Sequence, residues 1–143
     1  MSALYYVVTC SVQGFSGNLS DVTVASSRYD IFLCSEITDM RHVSKLLVTG
    51  FARPFLSCQS RIPLARGMAT HIRDGYWAFR YPKFENDCCK MLNVRVCGAR
   101  QNFYVFSLYC NPDLDDRIFD CLLTSMAAVE AEDVSASFLF VAD

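Results

Sequence analysis

The chain has 143 residues, 52% hydrophobic and 13% aromatic, which suits one domain with a substantial core and excludes both a pair of domains and a disordered segment. No apolar run approaches the ~18 residues of a membrane-spanning helix, and Met1 to Val12 lacks the basic leader and small-residue cleavage site of a signal peptide. The net charge of −2 hides an uneven distribution: Arg41 to Arg100 holds 11 Lys/Arg against 3 Asp/Glu, and the flanks hold 2 against 12. A basic middle suits a surface that meets phosphates, although arginines spread over several strands need not share a face.

Leu4 to Val12 is a β-branched and aromatic run closed by Gln13-Gly14, which predicts a first strand and a turn. Asn18 or Ser20 can cap a short helix carrying Leu19, Val22 and Ala25. The stretch Tyr29-Asp30-Ile31-Phe32-Leu33-Cys34-Ser35-Glu36 anchors the chain. Four apolar residues bounded by polar ones read as a strand buried on both faces. Glu36 stands at its C-terminal edge, where ligands bind in open α/β sheets; the competing reading is a solvated strand-end carboxylate. Thr38-Asp39 can cap a second short helix with Met40, Val43, Leu46 and Leu47 on one stripe, ended by Gly50.

From Phe51 to Phe106 the pattern predicts a run of antiparallel strands. Phe55-Leu56 is a short one. Arg66 to Arg73 is longer and ends in the turn Asp74-Gly75, with Trp77 to Arg80 as the return strand of that hairpin. Met91 to Cys97 and Asn102 to Tyr109 form a second hairpin around Gly98-Ala99-Arg100-Gln101, with Met91, Val94 and Val96 on the apolar face and Arg95 turned outward. Asn111-Pro112-Asp113 opens a helix with Asp115 and Asp116 in its first turn and Ile118, Leu122, Met126 and Val129 along one face. Ser137 to Val141 reads as a buried last strand that delivers Ala142-Asp143.

The eight cysteines show neither a C-x-x-C nor a paired Cys/His spacing, and the adjacent pair Cys88-Cys89 is a poor zinc clip. Cys10, Cys34, Cys97 and Cys121 lie in apolar runs, where a thiol behaves as a small hydrophobe. These features predict an intracellular protein, cytoplasmic or nuclear, with free thiols.

Three apolar strands thus end in a residue capable of chemistry: Glu36, Tyr109 and Asp143. Their order resembles the endonuclease/exonuclease/phosphatase superfamily, and most of all the N-terminal endonuclease domain of non-LTR retrotransposon polyproteins. Asp30 to Glu36 looks like the family's "D-I-x-x-x-x-E" strand and Arg66-Gly67-Met68-Ala69 like its "R-G-G-V-A" strand. Ser107-Leu108-Tyr109-Cys110-Asn111-Pro112 is similar to "S-x-Y-x-x-P", and Phe138 to Asp143 to the start of "G-D-x-N". The resemblance implies an α/β fold over residues 1–143, part of a four-layer DNase-like sandwich with mixed, mostly antiparallel sheets and flanking helices, incomplete at the C-terminus. It further implies Glu36 as a ligand of Mg²⁺, Tyr109 beside the scissile phosphate and Asp143 orienting or deprotonating the attacking water, with all three at one sheet edge and DNA as the partner.

The departures are specific. Ser11 stands where the family carries a metal-holding Asn, and Ala142 where it carries Gly. The following Asn, a later Asp and the terminal Ser-Asp-His segment have no counterpart. Neither His42 nor His71 matches a family position; both read as ordinary surface or strand histidines. Three functions are therefore expected in turn. The first is a truncated, weakly active or inactive copy of a Mg²⁺-dependent phosphodiesterase that nicks DNA for retrotransposition. The second is a non-catalytic nucleic-acid-binding module, which would require arginines 61, 66, 73, 80, 95 and 100 to share a face. The third is a transposon fragment without a function.

Overall fold

The computed structural model describes residues 5–11, 28–37, 46–57, 67–85, 90–109 and 117–142. Contacts divide the chain into two units, Met1–Tyr76 and Trp77–Asp143, each with its own sheet.

The first sheet is built from β1 (Val7–Ser11), β2 (Ile31–Ile37), β3 (Phe55–Ser57) and β4 (Gly67–Ile72), in the order β1-β2-β4-β3. β1 runs parallel to β2, from Val7 opposite Ile31 to Ser11 opposite Ser35, and β4 runs antiparallel to both β2 and β3. The two inner strands are the most apolar. Ile31, Phe32, Leu33 and Cys34 are all buried, as expected for a strand covered on both faces, and so is every residue of β4. Phe32, Cys34, Ile37, Leu46, Val48, Phe51 and Ala69 form one core cluster. The short helix expected around residues 18–26 lies outside the described residues, as does 39–45 of the second; the described remainder of that second helix, 46–50, holds no α-helix.

His71 on β4 is fully buried against Phe32 and Phe51, with Nε2 2.8 Å from the Leu46 carbonyl oxygen. Burial, opposed in part by backbone hydrogen bonds, lowers its pKa from the ordinary 6.5. The native chain therefore resists a proton that the unfolded chain accepts, and stability should fall as pH drops below about 6.5. Urea midpoints at pH 7.5 and 5.5 check this: the lower pH should give the lower midpoint, and the His71→Gln protein should lose most of the difference. Equal midpoints for the parent chain would refute it.

The second sheet contains β5 (Trp77–Arg80), β6 (Lys90–Cys97), β7 (Asn102–Tyr109) and β8 (Ser137–Ala142), in that spatial order, with a short 3-10 turn at Pro82–Phe84. β6 and β7 pair antiparallel along their full length, from Lys90 opposite Tyr109 to Cys97 opposite Asn102, which is the expected hairpin. β8 is parallel to β7. A parallel neighbour needs a crossover, and helix α1 (Arg117–Glu132) supplies it. Val129 and Leu122 of α1 cover Phe84, Met91, Tyr104, Phe106 and Leu108, with Phe138 and Phe140 of β8 packed alongside.

Five expectations change. Gly75 adopts the positive φ of 99° that a turn requires, but the strand after it, β5, pairs with β6 and not with β4. Met91 shares its face with Asn93 and Arg95, whereas Leu92, Val94 and Val96 form the opposite one, because side chains alternate strictly along a strand. Arg95 is half-buried with its guanidinium 4.5 Å above the Tyr81 ring, rather than turned out to solvent. β8 is half-buried, because it has only β7 as a neighbour among the described strands. On α1 the deepest residues are Cys121, Ser125 and Val129, with Leu122 and Met126 half-buried beside them. The α/β class itself is as expected: two mixed, mostly antiparallel sheets with a flanking helix.

Candidate active site at two strand ends

In the first sheet the candidate site is the edge at which β1 and β2 both finish. Their parallel register sets Ser11, the last residue of β1, opposite Ser35, and Glu36 follows directly. The pairing of β2 with β4 is irregular at the same point. Cys34 faces Ala69 and Ile37 faces Gly67, so Ser35 and Glu36 together oppose the single residue Met68. Such a β-bulge bends the strand and re-aims a side chain, and bulges concentrate next to active sites. Gly67-Met68-Ala69, most of the second family-like motif, is thus the strand that faces Glu36; Arg66 lies outside the described residues.

In the second sheet the matching edge is where β7 and β8 end. Leu108 pairs with Ala142, so Tyr109 closes β7 beside the last residue of β8. Asp143 lies outside the described residues. The expectation of one shared sheet edge therefore changes for Glu36 and Tyr109: Glu36 belongs to the first sheet and Tyr109 to the second. Sequence reasoning also passed over Lys90, which stands opposite Tyr109 at the start of β6. Its position follows from counting the hairpin back from the 97–102 pair, once that register is known.

Among the described residues no three His, Cys, Asp or Glu side chains gather into a metal site. His71 is committed to the Leu46 carbonyl inside the core, and His42 lies outside the described residues. No described helix is long and apolar enough to cross a membrane.

The arginines do not form a single stripe. Arg73 donates to the Tyr29 carbonyl through Nε at 2.9 Å and through a second nitrogen, and stacks 4.8 Å over Phe51. Arg80 forms a two-pronged pair with Glu85, both contacts at 2.9 Å. Arg80 is in register with Val94 and Arg95 with Phe79, one position apart, so the two point to opposite faces of the second sheet. Arg100 is exposed at the β6–β7 turn, and Arg61 and Arg66 lie outside the described residues.

Neither a family model nor a curated protein sequence matches the chain. Solved structures do. The endonuclease domain of TRAS1, a telomere-specific non-LTR retrotransposon, has a TM-score of 0.62 at 17% identity, over 97% of this chain and 59% of that one. The Xenopus laevis APE2 catalytic domain gives 0.68 at 14%, over 96% and 57%. An endonuclease/exonuclease/phosphatase family protein from Bacteroides thetaiotaomicron gives 0.62 at 12%, over 97% and 62%. The chain therefore spans between 57% and 62% of the length of these three structures. Two mixed sheets with this strand order and nearly complete coverage at low identity lead to one conclusion: the chain has the fold of the endonuclease/exonuclease/phosphatase superfamily.

Proposed function

We propose that the chain is built on the plan of a Mg²⁺-dependent phosphodiesterase, ancestrally one that nicks DNA for retrotransposition, and that it is itself a weakly active or inactive form. The observation that carries this reading is the β-bulge at Ser35-Glu36, beside the end of β1 at Ser11. An irregularity at the one acidic position of β2 is what a strand needs to aim a carboxylate away from the regular pleat.

One carboxylate and one hydroxyl would suit at most a loosely held, largely hydrated Mg²⁺. That ion takes hard oxygen ligands and commonly one or two carboxylates, the remainder being water and phosphate oxygens. Glu36 would supply the carboxylate and Ser11 a hydroxyl, a weaker ligand than an amide oxygen. The ion would neutralise phosphate charge and make bound water more acidic. On the second sheet, Tyr109 would donate a hydrogen bond to a phosphate oxygen, Lys90 would add positive charge beside it, and Asp143 would orient the attacking water. His71 does not serve such a site, since it is buried in the core with Nε2 2.8 Å from the Leu46 carbonyl oxygen. A phosphodiesterase site that lacks one electrostatic contact to the phosphate typically loses ~10²–10³ in rate. An intracellular setting, cytoplasmic or nuclear, belongs to the same proposal: Cys34 and Cys121 are buried among apolar residues, where a thiol acts as a small hydrophobe.

Two measurements test the proposal. Titration with Mn²⁺ as a spin-active substitute should reveal weak binding that Glu36→Ala weakens at least tenfold and Ser11→Asn strengthens. Binding indifferent to Glu36 would remove the metal assignment. Incubation with supercoiled plasmid and Mg²⁺ should give no chelator-sensitive nicking beyond that of the Glu36→Ala protein. Nicking that chelator abolishes and Glu36→Ala lacks would show a working enzyme and overturn the claim of weak or absent activity.

A further inference from the structure

The second unit carries an aromatic row that its own core does not use. Trp77 and Phe79 alternate along β5, an edge strand, so both side chains lie on the same face of the sheet. They are 73% and 45% exposed, although a tryptophan and a phenylalanine are costly to leave in water, and their rings are 6.4 Å apart. Tyr81, two residues further on, continues the row and is where the buried cluster beneath α1 begins.

Cations are interleaved with these rings. Arg95 is in register with Phe79 on the adjacent strand and places its guanidinium 4.5 Å over Tyr81. Lys83 lies 5.8 Å above the same ring and is paired with Glu132. Glu85 holds Arg80, and Asp133 accepts from Asn102 and from Tyr104, whose hydroxyl also meets Arg95. Among the described residues Arg95 and Arg100 form no ion pair, and of the two Arg100, exposed at the β6–β7 turn, is the more open to a ligand.

We propose that the outer face of β5 and β6 is a binding site for single-stranded nucleic acid, in which Trp77 and Phe79 stack on successive bases and Arg95 and Arg100 meet the backbone. Unpaired bases have free π-faces, which aromatic side chains accept with little regard to sequence, and a positive groove guides the strand. Alternate residues of a β-strand repeat at about 6.6 Å, a spacing that lets an extended strand set one base on each ring. A duplex offers no such faces, since its bases are already stacked on one another. Within this sheet the row is also separate from Tyr109: Trp77 is in register with Cys97, which pairs with the first residue of β7, and Tyr109 is the last, about 20 Å along the strand. The proposal therefore does not rest on the hydrolytic reading.

Trp77 is the only tryptophan in the chain, so its fluorescence reports on the site directly. The full chain, in chelator and low salt, is titrated with a fifteen-residue oligo-dT and with a duplex of equal length. Oligo-dT should quench the emission saturably and bind at least fivefold more tightly than the duplex. By anisotropy of labelled oligo-dT, Phe79→Ala should weaken binding about tenfold, within the range for loss of one base stack. Arg95→Gln should weaken it less and flatten the salt dependence by about 0.7 in slope. Phe119→Ala, which removes an exposed ring from α1, should leave the affinity unchanged. Circular dichroism confirms that each variant is folded. Absence of quenching, equal affinity for duplex, or a Phe79→Ala protein that binds as the parent does would overturn the proposal.

Discussion

Phe106→Ala is expected to destabilise the chain by about 3–5 kcal/mol, the usual cost of emptying a buried aromatic site. Phe106 is wholly inaccessible to solvent in the middle of β7. Its ring stacks on Phe140 at 5.1 Å and on Phe138 at 6.4 Å, both from the parallel strand β8, and it shares a cluster with Met91 and with Val129 of α1. One truncation therefore opens a void where β6, β7, β8 and α1 meet, and none of these can close it without breaking strand register or helix packing. Since natural domains are stable by only ~5–15 kcal/mol, the variant should sit near its unfolding midpoint under mild conditions. Phe119→Ala removes the same atoms from a position 69% exposed on α1 and should stay within about 0.5 kcal/mol of the parent. Urea titration of the three proteins gives both values at a common slope. A Phe106→Ala midpoint indistinguishable from that of Phe119→Ala would disprove the packing described for the second unit.

Arg73→Lys is expected to cost about 2 kcal/mol despite keeping the charge. Two guanidinium nitrogens donate to the one carbonyl oxygen of Tyr29, and the flat face of the group lies 4.8 Å over Phe51. An ammonium cannot make the fork and the stack together. Charged hydrogen bonds contribute ~1.5–3 kcal/mol, and the stack adds ~0.5–1. Asp30, at 3.9 Å, adds little across a partly exposed gap. The arrangement ties the end of β4 to the start of β2, together with the backbone bond from Arg73 N to Asp30 O at 2.9 Å. Loosening it should also reach the first half of β2, so hydrogen exchange at Ile31 to Cys34 should accelerate in the variant. Stability and exchange equal to those of the parent would mean that the guanidinium contributes only its charge.

Much of this protein could be read from local pattern. The four-residue apolar run at Ile31 to Cys34, the hairpin around Gly98 to Gln101 and the helix carrying Leu122 and Val129 are strong because periodicity and turn chemistry act within a few residues of one another. The strand ends that carry Glu36 and Tyr109 were legible for the same reason. What no local pattern contains is which strand lies next to which. Trp77 to Arg80 follows a good turn, and only pairing energy against Val94 to Cys97 assigns it to the second sheet. The mismatch of two residues against one at Ser35-Glu36 exists solely in the register between β2 and β4, two segments about thirty residues apart in the chain. Burial, likewise, is a property of neighbours. Ser137 to Val141 is as apolar as Ile31 to Cys34, yet it is only half-covered because its one described partner is β7. The same asymmetry leaves Trp77 and Phe79 in solvent on β5, where composition alone would have placed them in the core.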